Sequence, residues 1–347
     1  MENKLLDVLL TDQKNVADIY KPGPYWLKKS LSAIREIKKN GIDNLRSSTD
    51  INSAASSYGD NTIIDARTIL ETTSFQNRLG LAILNHTPLK KLFDFQVDTT
   101  RNLLKTVLKL EKNELALSNH ERISELLENY KLENSINLGC DRISTFKNKD
   151  YSKAYLECLD LIDIIEKKKT LKECNSFLEI GPGFGANIHL IEQNFSNIRK
   201  FIVIDIVPNV WVVTEYLRKL YGESVKDYLL TRKLKEIKFK DDTSLEIFVI
   251  PPWEIVKIAS PIDCFWNANS FVEMSPKIVM NYAEEIKRIG TKKSLYNFIT
   301  YDEFDPKTTF LPDKIQEYFI DIKFEKFKHI TLQNSDRENY FYIGKIV

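Results

Sequence analysis

The chain has 347 residues, 43% of them apolar and 29% charged, with a net charge of +1. That length accommodates one large or two modest domains with a full core. The near balance of charges excludes a strong field for nucleic acid or a membrane surface.

Met1 to Lys14 carries Glu2, Lys4, Asp7, Asp12 and Lys14, which does not read as a signal peptide. No run reaches the ~18 apolar residues of a bilayer span. Cys140, Cys158, Cys174 and Cys264 form no C-x-x-C pair, and His86, His120, His189 and His329 show no ligand spacing. A structural zinc site is not expected, and the thiols suit a reducing cytoplasm.

Residues 1–150 read as a mainly helical N-terminal domain. A helix over Tyr25–Lys39 follows Lys21-Pro-Gly-Pro24. Residues 62–84, 88–110 and 119–130 carry helical periodicity, and the polar stretch Arg46–Asp60 reads as loop. Residues 151–347 alternate strand and helix. A helix over Tyr151–Glu173 leads into a strand at Phe177–Ile180. Then come a helix over Ala186–Phe195, a strand at Phe201–Asp205, a helix over Pro208–Tyr221 and strands at Leu245–Ile250 and Ile262–Asn267. A helix over Pro276–Ile289 and a strand at Leu295–Thr300 complete the alternation. Tyr318–Phe327 and Asn339–Val347, joined by the turn-prone Asn334–Asn339, read as a terminal antiparallel hairpin. The fold class is therefore α/β: a Rossmann-like doubly wound sheet with a C-terminal hairpin, behind a helical first domain.

Ligands of such sheets bind at the carboxyl ends of the strands. The first of these ends is a glycine-rich turn, Glu179-Ile-Gly-Pro-Gly-Phe-Gly-Ala-Asn187, and Asp205 lies twenty residues beyond Gly185. Glycines let the backbone approach a nucleoside cofactor, and the carboxylate accepts from ribose hydroxyls. Gly181, Gly183 and Ala186 also satisfy a dinucleotide pattern, so NAD and an oxidoreductase are the alternative. Glu179 and Pro182 favour S-adenosylmethionine, because an anion sits poorly beside a pyrophosphate and proline removes a backbone donor. Glu179 could order the turn or meet the cofactor's ammonium, Gly185 would leave room for the methionine tail, and Asn187 would narrow the pocket or bond the ligand.

The other strand ends supply the remaining candidates. Asp205 and Ile206 belong to the ribose, unless Asp205 caps the following helix. Pro252 and Trp253 would cover the adenine, unless the indole merely packs. Asn267 would orient the cofactor. Glu273 is the candidate general base, with Asn269 beside it and His189 as a rival; the plainer reading of Glu273 is a charge in a helix's first turn. Asp302, Glu303 and Asp305 cluster after the fifth strand, but charged loops are commonly only solvated, and no metal is expected.

These residues resemble a group of bacterial sugar O-methyltransferases, which are class I S-adenosylmethionine enzymes. The resemblance rests on Tyr20-Lys-Pro-Gly-Pro-Tyr-Trp26, Asn44-Leu-Arg46, the glycine turn, Asp205-Ile-Val-Pro-Asn209 with Glu215-Tyr-Leu217, Ile262-Asp-Cys-Phe-Trp-Asn267, Ser270-Phe-Val-Glu-Met274 and Asn281-Tyr282. It implies a sugar acceptor in a surface glycan or a nucleotide-sugar precursor. By position, Tyr25 and Trp26 would then stack on the sugar ring, and Arg46, Arg67 or Arg142 would hold an acceptor phosphate or carboxylate. The plainer readings are helix packing and surface solvation. A retained pocket without chemistry is a further alternative, and the helical first half offers a face for a homodimer.

Overall fold

A computed structural model describes residues 4–42, 119–136, 143–301, 314–332 and 338–346. Two compact units emerge. One comprises residues 1–27, 126–132 and 155–347, and the other residues 28–125 and 133–154.

The first unit is built on three short runs, Ser176–Ile180 (β3), Lys200–Ile204 (β4) and Glu246–Ile250 (β6), buried at every position. Branched and aromatic side chains fill both faces, as a parallel sheet covered by helices demands. Val225–Lys226 (β5), Ile262–Ala268 (β7), Gly290–Thr300 (β8), Ile322–Ile330 (β9) and Glu338–Ile346 (β10) complete eight strands in the order β5-β6-β4-β3-β7-β8-β10-β9. The pairings from β5 to β8 are parallel, whereas β10 runs antiparallel to both β8 and β9. The chain winds outward from β3 through β4 to the β6 side. It then returns to β7 on the other side of β3, which sets a crevice at the carboxyl ends of β3 and β7.

Helices Ala186–Asn194, Asn209–Tyr221 and Pro276–Ile289 connect these strands. Pro276 starts the last one, where its missing N–H costs nothing. At its other end Arg288 donates to the carbonyls of Ile255 (2.9 Å) and Ile258 (2.7 Å), tying it to the loop after β6. The core includes Leu178, Ile202, Ile204, Ile250, Phe265, Phe271, Tyr282 and Phe298.

Several boundaries differ from the sequence reading. The helix expected over Tyr151–Glu173 spans Lys153–Lys168, and the residues before it form a hairpin of Ile143–Phe146 (β1) and Lys149–Ser152 (β2). β8 begins at Gly290, five residues before the expected Leu295, because the polar Thr291-Lys-Lys-Ser294 hid its amino end. β9 begins at Ile322 rather than Tyr318, since Ile315–Tyr318 closes as a helical turn. Most of the turn at 334–339 lies outside the described residues, as do the periodic segments 62–84 and 88–110. Cys158, Cys174 and Cys264 are free thiols. Among the described residues no helix is long and apolar enough to cross a membrane.

The chain also divides differently from a boundary near residue 150. Helix Lys4–Gln13 buries Leu5, Leu6 and Leu9 within the sheet unit. Asp12 accepts from the Tyr228 hydroxyl (2.8 Å) and pairs with Arg232 (3.0 Å). Tyr20 packs against the sheet's core. Apolar burial and one partly enclosed carboxylate thus fasten the first residues to the strands. Leu6→Ala is expected to destabilise the sheet unit by about 2–5 kcal/mol. Hydrogen exchange in β3 and β4 unaltered by that change would show that the segment folds apart from the sheet.

Candidate functional site

The turn after β3 contains three left-handed glycines, Gly181 (φ 76°), Gly183 (φ 60°) and Gly185 (φ 103°). Side-chain-bearing residues rarely adopt such angles. Two of these bare positions also have a spatial reason. A Cβ on Gly181 would fall on the Cβ and Oγ of Ser270. One on Gly185 would lie 2.9 Å from Val213 Cγ2 and 3.2 Å from Leu217 Cδ2. Gly185 therefore admits the helix Asn209–Tyr221, not the cofactor tail expected from the sequence. Between them Phe184 is buried against the rings of Tyr155 and Tyr216.

The loop after β7 is fastened to this turn. Asn267 is fully buried and donates to the Ile180 carbonyl (2.8 Å) and to Ser270 Oγ (2.5 Å), while its own oxygen accepts from Phe271 N (3.1 Å). Ser270 Oγ donates to the same carbonyl (3.1 Å). Asn267, expected to orient a cofactor, has no exposed surface left for one and acts as the staple between the two strand ends. Asn269 is half-buried in left-handed backbone (φ 66°), and its N–H donates to Ile299 O (2.8 Å).

Three carboxylates gather around these ends. Glu179 is buried; Oε1 accepts from Asn187 Nδ2 (2.6 Å), and Oε2 and Asn187 Oδ1 have no hydrogen-bond partner. Burial pushes its acid up to about 8, against the Asn187 bond and with a contribution from Asp205. Asp205 is buried too and accepts from Ile206 N (2.7 Å), from the Asn209 side chain and from the Gly183 backbone. Burial raises it to about 7, and Glu273 adds to the rise. The cap of the following helix is Pro208, so Asp205 is not the N-cap. Beside it the buried phenol of Tyr282 is also pushed up, first by burial, then by Asp205 and Tyr20.

Glu273 ends the short turn Phe271–Glu273, before the helix that starts at Pro276, so it is not a first-turn charge of that helix. Its Oε2 accepts from Trp26 Nε1 (3.0 Å) and its Oε1 from the Tyr301 hydroxyl (3.1 Å). Trp26, expected to stack on a sugar, thus places its indole N–H on the candidate base.

His189 is spent elsewhere. It is buried, with Nδ1 on the Tyr155 hydroxyl (2.6 Å) and Nε2 on Gln193 Nε2 (2.5 Å); Tyr155 also meets the Tyr216 hydroxyl. Both ring nitrogens are engaged inside the core, which removes His189 as the rival base. Pro252 is buried at the start of the turn Pro252–Lys257. Trp253 is half-buried, donates to Tyr228 OH (3.1 Å) and meets that ring edge-on at 5.7 Å. The side chain of Tyr25 and residues Arg46, Arg67, Arg142, Asp302, Glu303 and Asp305 lie outside the described residues. Among the described residues no group of three or more His, Cys, Asp or Glu could hold a metal ion.

Sequence reasoning passed over Tyr20, Tyr282, Tyr301 and Asp12 as site residues. Tyr301 stands one residue past an expected strand, which was the available signal. Tyr282 sits inside an amphipathic helix, and its one signal was the Asn281-Tyr282 pair of the resemblance.

No family model matches the chain, and no curated protein is similar enough to stand as a relative. Among solved structures it is similar to a SAM dependent methyltransferase from Aquifex aeolicus (16% identity, 56% of this chain and 93% of that one, TM-score 0.38). It is also similar to a S-adenosylmethionine-dependent methyltransferase from Clostridium acetobutylicum ATCC 824 (11%, 54% and 91%, 0.38) and to the O-methyltransferase from Bacillus cereus in complex with SAH (8%, 54% and 80%, 0.36). Similarity this distant says nothing of what the present chain binds.

Because burial raises the folded-state values of Asp205 and Glu179 above those of an unfolded carboxyl, the folded state holds their protons longer. Stability is then greatest at acid pH and falls as pH climbs from about 4 through 7 and 8, by up to about 1.4 kcal/mol per pH unit for each group. Urea unfolding of Asp205→Asn and Glu179→Gln should flatten that slope. A wild-type curve that rises between pH 5 and 8 would contradict the burial account.

Proposed function

We propose that the chain is an S-adenosylmethionine-dependent O-methyltransferase acting on a sugar hydroxyl of a surface glycan or nucleotide-sugar precursor. The observation that supports the cofactor best is the buried Asp205 one residue past β4, beside the left-handed glycine turn that follows the neighbouring β3. The arrangement suits a ribose beside a closely approached backbone. When bound, the cofactor would supply a methyl group activated by a sulfonium.

The chain's residues fit that group. Glu179 keeps an unpartnered buried oxygen beside the turn, which suits the cofactor's ammonium. The same oxygen tells against NAD, whose pyrophosphate would meet a buried acid and a proline where it needs donors. Asp205 would bind ribose hydroxyls, and Trp253, after β6, stands on the adenine side. Glu273, after β7, lies two strands from Asp205, where it could take the proton from an acceptor hydroxyl, itself a weak nucleophile at neutral pH. Alignment of hydroxyl and methyl does most of the remaining work. The sugar acceptor rests on the sequence resemblance alone.

Calorimetric titration with S-adenosylhomocysteine and, in parallel, with NAD tests the cofactor. S-adenosylhomocysteine should bind and NAD should not; the reverse would sink the methyltransferase reading. Asp205→Ala is expected to weaken S-adenosylhomocysteine by about 1–3 kcal/mol through lost charged hydrogen bonds. Transfer of labelled methyl to nucleotide sugars and glycans, lost in Glu273→Gln, tests the acceptor. Incorporation only into other acceptor classes would refute the sugar assignment.

A further inference from the structure

We propose that Trp26 and Tyr301 are positioning residues that clamp the Glu273 carboxylate as an anion toward the place of the transferring methyl; this rests on the methyl-transfer reading above.

The strand order aligns the candidate groups along one edge. Trp253 follows β6, Asp205 follows β4, the glycine turn follows β3, Glu273 follows β7 and Tyr301 follows β8. A ligand with its adenine at the β6 end and its ribose on Asp205 directs its other end toward β7. Glu273 is the carboxylate found there.

The clamp itself is built from three distant parts of the chain. Trp26 Nε1 reaches Glu273 Oε2 at 3.0 Å from 247 residues away, and Tyr301 OH reaches Oε1 at 3.1 Å from 28 residues away. Both donors belong to the sheet unit. Trp26 lies in the first turn of helix Pro24–Asn40, beyond the anchored Tyr20. Tyr301 follows the last residue of β8, whose register with β7 runs through Asn267↔Phe298 and Ala268↔Ile299 and is closed by the Asn269 N–H on Ile299 O (2.8 Å). An indole N–H donates and never accepts, so Trp26 is matched to a carboxylate oxygen and not to a neutral donor. Two donors also answer an electrostatic problem, because Asp205 is a second acid close enough to Glu273 for Glu273 to raise its proton affinity.

A pair of ligands reads this without any acceptor. Sinefungin carries an amine where S-adenosylmethionine carries its transferring methyl, and S-adenosylhomocysteine carries nothing there. Calorimetry on the full chain should show the wild type preferring sinefungin by about tenfold or more, as expected for an ammonium against a held carboxylate. Glu273→Gln should bring the two affinities together. Trp26→Phe and the milder Tyr301→Phe should each cut the preference several-fold, while S-adenosylhomocysteine affinity moves by less than about twofold. A preference untouched by Glu273→Gln would remove Glu273 from the methyl end. A preference lost in Glu273→Gln but intact in both aromatic variants would reduce the clamp to packing. Failure of the wild type to bind either ligand would instead bring down the cofactor reading, and the clamp's role with it.

Discussion

Everything at the carboxyl edge depends on how closely the loop after β7 can lie against the turn after β3. The contact is made by one buried side chain, Asn267, which binds the Ile180 carbonyl, Ser270 and the Phe271 amide together. Gly181 is the other half of that contact, since any Cβ there would occupy the space of Ser270. A buried amide that satisfies three polar groups at once is worth more than its count of bonds, because each would otherwise be stranded out of water. Without this staple the short turn bearing Glu273 would have no fixed distance from Asp205.

The staple brings acids together, and that has a cost. Glu179 and Asp205 are both buried; Asp205 raises the proton affinity of Glu179, and Glu273 raises that of Asp205. A protein selected only for stability would place apolar groups or a cation there. Partial relief comes from fixed dipoles: Asn187 on Glu179, and the Ile206 amide, the Gly183 backbone and Asn209 on Asp205. The relief is incomplete, since both groups remain near neutral values instead of the ordinary carboxylate range. Strain of this kind concentrates where a ligand must be recognised.

Much of the edge was legible in the sequence because its signals are local. The glycine spacing, the carboxylate twenty residues on and the run Ser270-Phe-Val-Glu-Met274 each follow an apolar strand, and the structure puts all of them at strand ends. What failed to show was set by distant partners. Nothing in the helix after the turn marks His189 as a core residue until Tyr155 and Gln193 are seen to hold both its nitrogens. Gly185 looked like a vacancy for a ligand and proves to be room for Val213 and Leu217, one helix later. Asn267 looked like a ligand group for the same reason: a short polar residue after a strand suits either a cofactor or a neighbouring backbone, and only the fold decides. The polar Thr291-Lys-Lys-Ser294 escapes any period-two pattern because it lies where the register of β7 and β8 shifts, between Ile262↔Gly290 and Cys264↔Leu295.

The first 27 residues show the same limit on a larger scale. Their composition reads as the start of a helical domain, yet helix Lys4–Gln13 packs against the short helix Tyr228–Thr231, and Trp26 ends on Glu273. Along the way the segment meets Tyr228, itself held by the indole of Trp253, and then sets Tyr20 near Tyr282. It therefore follows the edge in the order of the strands, from the side of β6 to that of β7. Removing the segment would expose Tyr228 and strip Glu273 of its indole donor. The site is in this sense completed by residues far from it in sequence, with Trp26 reaching Glu273 and Asp12 reaching Tyr228 across more than two hundred positions.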